Sequence, residues 1–203
     1  MRTERRGLVR VLALLLAAVM VSTVLLAASP ADTWAASSKL KKSVTKVVKK
    51  QTKGMTDPEQ KLDALFNYCV STFRYKKAPG TYLVSIVKKG KLSKSQVSEA
   101  AYQMLKKKKG SCFHDAAAFA YLARYATKLP VRIVFGKSNV SNGYQATLSY
   151  HAWVEVKIGG VWYGYDTNGA RNNAATAAQF KKMAAGTELM THYQAGKTMK
   201  IKK

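Results

Sequence analysis

One cysteine in this chain stands where a thiol becomes a nucleophile. Cys112 lies in Gly110-Ser111-Cys112-Phe113-His114-Asp115-Ala116-Ala117-Ala118, at the head of an alanine-rich stretch that reads as a helix to about Lys128. A helix N-terminus presents unpaired backbone N–H groups and the positive end of the dipole, and both favour the thiolate, the form that attacks a carbonyl carbon. The alanines one turn on let such a helix lie close under a sheet. Taken alone, the stretch fits a buried structural thiol equally well.

A candidate base lies downstream. Residues 150–158 and 161–166 alternate polar and apolar around Gly159-Gly160, which reads as a two-residue hairpin turn. That turn pairs 158 with 161, 157 with 162, 153 with 166 and 151 with 168. His151, Trp153, Glu155, Trp162, Asp166 and Asn168 then share one face, and Ala152, Val154, Val156 and Ile158 the other. Asp166 falls diagonal to His151, a backbone separation of roughly 7–8 Å that side chains span. A three-residue loop would flip the parity. Singly, His151 reads as a packed histidine and Asp166 as a turn residue. Together with a helix-tip Cys112 they form a plausible Cys-His-Asp triad, with Asn168 as the alternative orienting residue. Glu155 reads as a cross-strand surface partner. His114 and Asp115 invite a metal reading, but no third ligand has suitable spacing, so both read as first-turn surface positions. No metal and no cofactor is expected.

The elements that must position these groups follow from periodicity. Thr56 or Asp57 can cap a helix in which Leu62, Leu65, Phe66, Cys69, Val70 and Phe73 form one apolar stripe, which makes Cys69 a core residue. The Pro79-Gly80 turn leads into an apolar stretch over 82–87. Ser93 and Gln96 open another helix, with Val97, Ala100, Ala101, Met104 and Leu105 inward and Gly110 as its stop. Strands follow at 131–135 and in the hairpin, then a short helix over 175–183 and a weak C-terminal strand. Helices precede strands instead of alternating with them, so the fold class is α+β with an antiparallel sheet.

Composition narrows the function classes. The chain has 203 residues, 47% of them hydrophobic, with 13 Gly and 4 Pro, which excludes collagen-like and wholly disordered chains. Two cysteines exclude a multi-bridge scaffold and a four-cysteine zinc site, although export would permit a Cys69–Cys112 disulfide. Residues 1–36 carry Arg2, Arg5, Arg6 and Arg10, an uncharged apolar run over 11–28, and the Ser29-Pro30 break before Thr33-Trp34-Ala35. This is the layout of a signal peptide, or of a retained N-terminal anchor, and either exports the rest to the cell envelope or beyond. Lys+Arg number 35 against 10 Asp+Glu; without the four arginines, Glu4 and Asp32 of that segment, residues 37–203 keep 31 basic and 8 acidic residues, a charge of +23. Residues 37–55 are lysine-rich with Leu40, Val44, Val47 and Val48 at helical spacing, so they read as a linker or a basic amphipathic segment. The domain proper is expected over 56–203.

The motifs Gly110-x-Cys112 with its alanines, Leu129-Pro130-Val131-Arg132, His151-Ala152-Trp153-Val154-Glu155-Val156, Trp162 and Asp166 together resemble the bacterial transglutaminase-like superfamily over about residues 57–170. That resemblance implies a papain-like core with the cysteine helix packed on a sheet carrying His and Asp. It implies Cys112 as nucleophile, His151 as general base and acid, and Asp166 as the group that fixes the imidazole. Members include crosslinking acyltransferases, peptidases, amidases and inactive scaffolds. Animal transglutaminases place an upstream Trp in the oxyanion hole. Here no Trp lies between Trp34 and Trp153, so Tyr75 or Tyr82 stands in, and hydrolysis and crosslinking stay equally open.

Two functions from different classes follow. One is an exported cysteine acyltransferase or hydrolase acting on protein or peptide amides, with Trp153 and Trp162 on the substrate face. The other is an inactive, basic envelope-binding module held by anionic wall polymers or lipid headgroups. No motif for a specific nucleic acid is present, and the sequence leaves the oligomeric state open.

Overall fold

The computed structural model describes residues 38–77, 92–144 and 147–202. The N-terminal segment 1–36, the Pro79-Gly80 turn and the 82–87 stretch with Tyr82 lie outside the described residues. Helix α1 (Ser38–Gln51) buries Leu40, Val44 and Val48, one turn apart, and leaves its lysines exposed. The lysine-rich stretch is therefore an amphipathic helix seated against the next three helices rather than a detached linker. Helix α2 (Pro58–Thr72) is capped by Asp57, which accepts from the Gln60 N–H at 3.0 Å, and buries Leu62, Leu65, Phe66 and Cys69.

Helix α3 (Lys94–Lys107) opens on the reciprocal Ser93/Gln96 capping box and buries all five residues of its expected apolar face. It stops short of Gly110, at Lys108 in left-handed conformation (φ 56°). Gly110 serves another purpose: a Cβ there would lie 2.6 Å from His114 Cβ and 3.0 Å from Met104 Sδ. Two short strands, β1 (Arg74–Tyr75) and β2 (Lys109–Gly110), pair in parallel just before helix α4 (Cys112–Thr127). Ala116, Ala117, Ala118, Ala120 and Ala123 are all buried. Their small side chains let α4 approach its neighbours closely.

The sheet comprises β3 (Val131–Ser138), β4 (Ser149–Ile158), β5 (Val161–Tyr165) and β6 (Tyr193–Ile201), ordered β5-β4-β3-β6 and antiparallel throughout. Gly159 and Gly160 take φ of 56° and 88°, the two left-handed positions of a tight hairpin turn. The β4–β5 ladder accordingly runs from Ile158 opposite Val161 to Val154 opposite Tyr165. Val131, Ile133 and Phe135 share a face with Ala152, Val154 and Val156, and Phe113 and Phe119 of α4 meet Phe135 and Tyr165 there at 5.7 Å between ring centroids. After β5 come α5 (Thr167–Asn172), a 3-10 turn (Ala174–Phe180) and α6 (Glu188–Thr191). No helix among the described residues is long and apolar enough to cross a membrane.

Candidate active site

Cys112 is the first residue of α4, and its N-cap Ser111 makes no side-chain capping bond. The Ser111 hydroxyl instead meets His114 Nδ1 at 2.9 Å. Ser111 thus supplies no side-chain acceptor to the first-turn N–H groups. Cys112 is 5% exposed, neither cysteine is in a disulfide, and its side chain is hydrogen-bonded to His151.

His151 lies near the start of β4, directly opposite Gly136 of β3. Its Nε2 donates to Asp166 Oδ2 at 2.6 Å, and the ring also shares a hydrogen bond with the Cys112 side chain. Burial alone would favour the neutral ring. The charge and hydrogen bond of Asp166, together with Cys112, outweigh it and lift His151 well above the ordinary histidine range.

Asp166 is 1% exposed and fully engaged. Oδ1 accepts from the backbone N–H of Asn168 at 3.1 Å and of Gly169 at 2.9 Å, and Oδ2 accepts from His151 and from the Tyr193 hydroxyl at 2.8 Å. Burial pushes this carboxyl up, but the neighbouring His151 charge and the donors hold it below the usual carboxylate range. Gly169 is required because a Cβ would come within 2.7 Å of Asp166 Oδ2 and of the Phe180 ring.

Four expectations need correction. Asn168 does not stand opposite His151: Asp166 leaves the ladder to cap α5, so Asn168 supports the carboxylate through its backbone N–H while its side chain accepts from Ser141 Oγ at 3.3 Å. Trp153 is 1% exposed and cannot face a substrate. It lies against Gly136, where a Cβ would be 2.9 Å from its ring, and under Tyr193 at 5.0 Å between ring centroids. Trp162 pairs with Lys157 near the hairpin turn, some six residues along β4 from His151, roughly 20 Å by strand rise. There it carries the Arg132 guanidinium 4.2 Å from its ring centroid, and Arg132 Nε bonds Glu155 at 2.5 Å. Asp115 is not a surface residue. It is fully buried, accepting from Thr167 Oγ1 at 2.7 Å and from Arg171, which ties α4 to α5. Burial raises its carboxyl in spite of Arg171.

Tyr75 lies beside the site. It pairs with Gly110 across the β1–β2 ladder, is 50% exposed, and has its hydroxyl pKa raised by partial burial and by the Cys112 charge. Tyr193 and Gly136 were not foreseen. No pattern in the C-terminal residues ties Tyr193 to Asp166, whereas an isolated glycine inside the β3 run is the one sequence signal of a close approach.

Comparison with known proteins identifies the family. The model of the transglutaminase-like superfamily matches residues 45–167, from within α1 to just past Asp166. No curated protein matches the chain. Among solved structures it is similar to a "Putative Cysteine Protease from Cytophaga hutchinsonii", at 16% identity and a TM-score of 0.49 over 78% of this chain and 42% of that one. It is also similar to a chain of the Rad4-Rad23 complex bound to a 6-4 photoproduct UV lesion (14% identity, TM-score 0.40, 68% of this chain and 36% of that one). A third is described as a TGase (14% identity, TM-score 0.42, 83% of this chain and 39% of that one). The chain spans less than half the length of each.

Proposed function

The chain belongs to the transglutaminase-like superfamily, and from that premise we propose that it is an exported cysteine acyltransferase or hydrolase acting on protein or peptide amides. The observation that carries the reading is the relay from the Cys112 side chain through the His151 ring to Asp166 Oδ2, 2.6 Å from Nε2. The Cys112 thiolate, paired with the His151 imidazolium, attacks an amide carbonyl carbon, and a C–S bond forms as the carbonyl π pair moves onto oxygen. The backbone N–H of Cys112, at the first position of the helix, receives that oxyanion, with Tyr75 as the candidate side chain to assist. His151 Nδ1–H protonates the departing amine as the C–N bond breaks, leaving a thioester on Cys112. Water attacks the thioester while His151 takes its proton, and the C–S bond then breaks to give the acid and return Cys112 as the thiolate; a lysine amine attacking in its place gives a crosslink. Asp166 keeps the imidazole oriented throughout and stabilises its charged form whenever the ring holds both protons.

The test needs no substrate. Alkylation of Cys112 is followed against pH by peptide mass spectrometry in the native chain and in His151→Ala, with Cys69 as internal control. Rapid labelling that persists below pH 7 and is lost with His151 is the expected result. Slow labelling that is indifferent to His151 would leave an inactive scaffold.

A second reading rests on α1, whose exposed lysines form no ion pair among the described residues. In that reading, export and charge hold the protein on anionic wall polymer or lipid headgroups, with or without catalysis. Because Leu40, Val44 and Val48 are core residues, its test is charge reversal on the exposed lysines, not deletion of the helix. Retention on envelope fractions that survives reversal and high salt would end it.

A further inference from the structure

The short ladder that leads into the Cys112 helix carries cations and no acid. Across the parallel β1–β2 ladder Arg74 lies beside Lys109 and Tyr75 beside Gly110, and the Lys76 N–H donates to the Gly110 carbonyl at 2.8 Å. Gly110 stands two residues before Cys112, so this ladder leads directly into the helix tip that carries the nucleophile. Chain spacing puts it on the order of 10 Å from the sulfur. Tyr75 is in range of the Cys112 charge.

Arg74, Lys76, Lys77 and Lys109 are exposed. Arg74 spends its guanidinium on the carbonyls of Ser71 and Phe73, both at 2.9 Å. Lys76, Lys77 and Lys109 form no ion pair among the described residues. Lys107, exposed at the end of α3, is close enough to His114 to act with burial in lowering its pKa.

Acids are elsewhere. Residues 73–77 and 104–111 contain none, and Asp115 and Asp166, which belong to the Cys112 helix and to the His151 pair, are buried and paired with Arg171 and His151. Glu59 and Asp63, on α2, are paired with Lys182 and Lys181.

We propose that this lip selects acidic peptides, with the amide that reaches Cys112 carried on a segment whose carboxylates lie against Lys76, Lys77 and Lys109. The proposal rests on Cys112 being the nucleophile. It concerns which amide is admitted, since a cation within about a Debye length of the reacting atom raises the local concentration of an anionic substrate and repels a basic one.

The first experiment compares alkylation of Cys112 by iodoacetate, an anion, and by iodoacetamide, its neutral counterpart, in the full chain at about 20 mM salt. The variant Lys76→Glu/Lys109→Glu is set against the control Lys157→Glu/Lys200→Glu, which makes the same charge change at the far end of the sheet. The iodoacetate-to-iodoacetamide rate ratio is expected to fall at least about fivefold in the lip variant and less than about twofold in the control. The difference between the variants is expected to vanish near 1 M salt. The second experiment measures protection of Cys112 from iodoacetamide by a glutamine peptide flanked by glutamates and by its lysine-flanked counterpart. The acidic peptide is expected to protect at concentrations at least about tenfold lower.

An unchanged ratio, an equal fall in the control, or equal or absent protection by the two peptides overturns the lip while normal iodoacetamide labelling leaves the nucleophile standing. Sluggish labelling by iodoacetamide itself would instead remove the nucleophile, and the lip with it.

Discussion

Cys69 and Cys112 are both free thiols inside the same fold, one fully buried and the other 5% exposed. Depth does not separate them; their partners do. Cys69 sits mid-helix on the apolar stripe of α2, where burial and then the nearby Asp115 charge push its thiol well above the ordinary range. Cys112 sits at a helix tip with an imidazole against its sulfur, and that imidazole is held protonated by a carboxylate. Reactivity of a buried thiol is thus set by which charge form its neighbours stabilise. A thiolate at Cys69 would meet the charge of a carboxylate; one at Cys112 would meet a ring whose protonated form Asp166 favours.

The strongest way to break this contrast is to remove the carboxylate. Asp166→Asn keeps the size but offers no negative charge to His151 Nε2, and the alkylation rate of Cys112 is expected to fall at least about 100-fold toward that of Cys69. A fall of less than about threefold would mean that His151 is oriented by packing alone.

The same variant sharpens the electrostatics through pH. Asp166 is held below the usual carboxylate range, so its contribution to stability is complete above about pH 4, its unfolded value, and is lost as pH falls through the lowered folded value. His151 is raised well above its ordinary range, so its contribution is complete below about pH 6.5 and is lost as pH rises through the raised folded value. The stability gap between the native chain and Asp166→Asn, from urea unfolding, is therefore expected to be widest between about pH 4 and 6.5 and to narrow on both sides. A gap flat from about pH 3 to 9 would show that the folded pair is not ionised.

A smaller effect is expected from Tyr193→Phe, which removes one donor to Asp166 Oδ2 and leaves the ring against Trp153 and His151. A hydrogen bond to a buried charged group is worth about 1.5–3 kcal/mol. Labelling of Cys112 is expected to drop about tenfold, and the acid limb of its pH profile to move to higher pH as Asp166 loses a stabilising donor. A loss of stability with an unmoved acid limb would reduce Tyr193 to a packing residue.

Much of this arrangement is readable before any coordinates, and the unreadable part has a physical reason. The Gly159-Gly160 turn and strict alternation decide which residues of β4 and β5 share a face, because a one-residue slip would invert every side chain. Cys112 is visible as the head of a small-residue helix. The same alternation misplaces Trp153, since it assumes one wet face, whereas Gly136 makes room for the indole and Tyr193 covers it. Asn168 is misplaced because extrapolating the ladder ignores what a carboxylate does at a chain turn: Asp166 captures two backbone N–H groups and starts α5. Tyr193 is invisible for a third reason. It belongs to β6, which reaches β3 after a long connection, and neither its pairing nor its bond to Asp166 leaves a local pattern.

The smallest expected effect tests whether the two thiols are independent. Cys69→Ala deletes one buried sulfur from the α2 stripe, at a cost of about 1–2 kcal/mol for the atom and the space it leaves. Helix α2 packs on α4, and the charge of Asp115, one turn from Cys112, reaches Cys69. A coupled pair would therefore respond through α4. The Arg171 and Thr167 bonds to Asp115 argue that it does not, because they fix that carboxylate from the α5 side whatever fills the Cys69 position. The Cys112 alkylation rate in Cys69→Ala is expected to stay within about twofold of the native chain at every pH where both are folded. A fall beyond about tenfold would show that the α2–α4 contact sets the pitch of the helix tip, and the two cysteines would then be one site, not two.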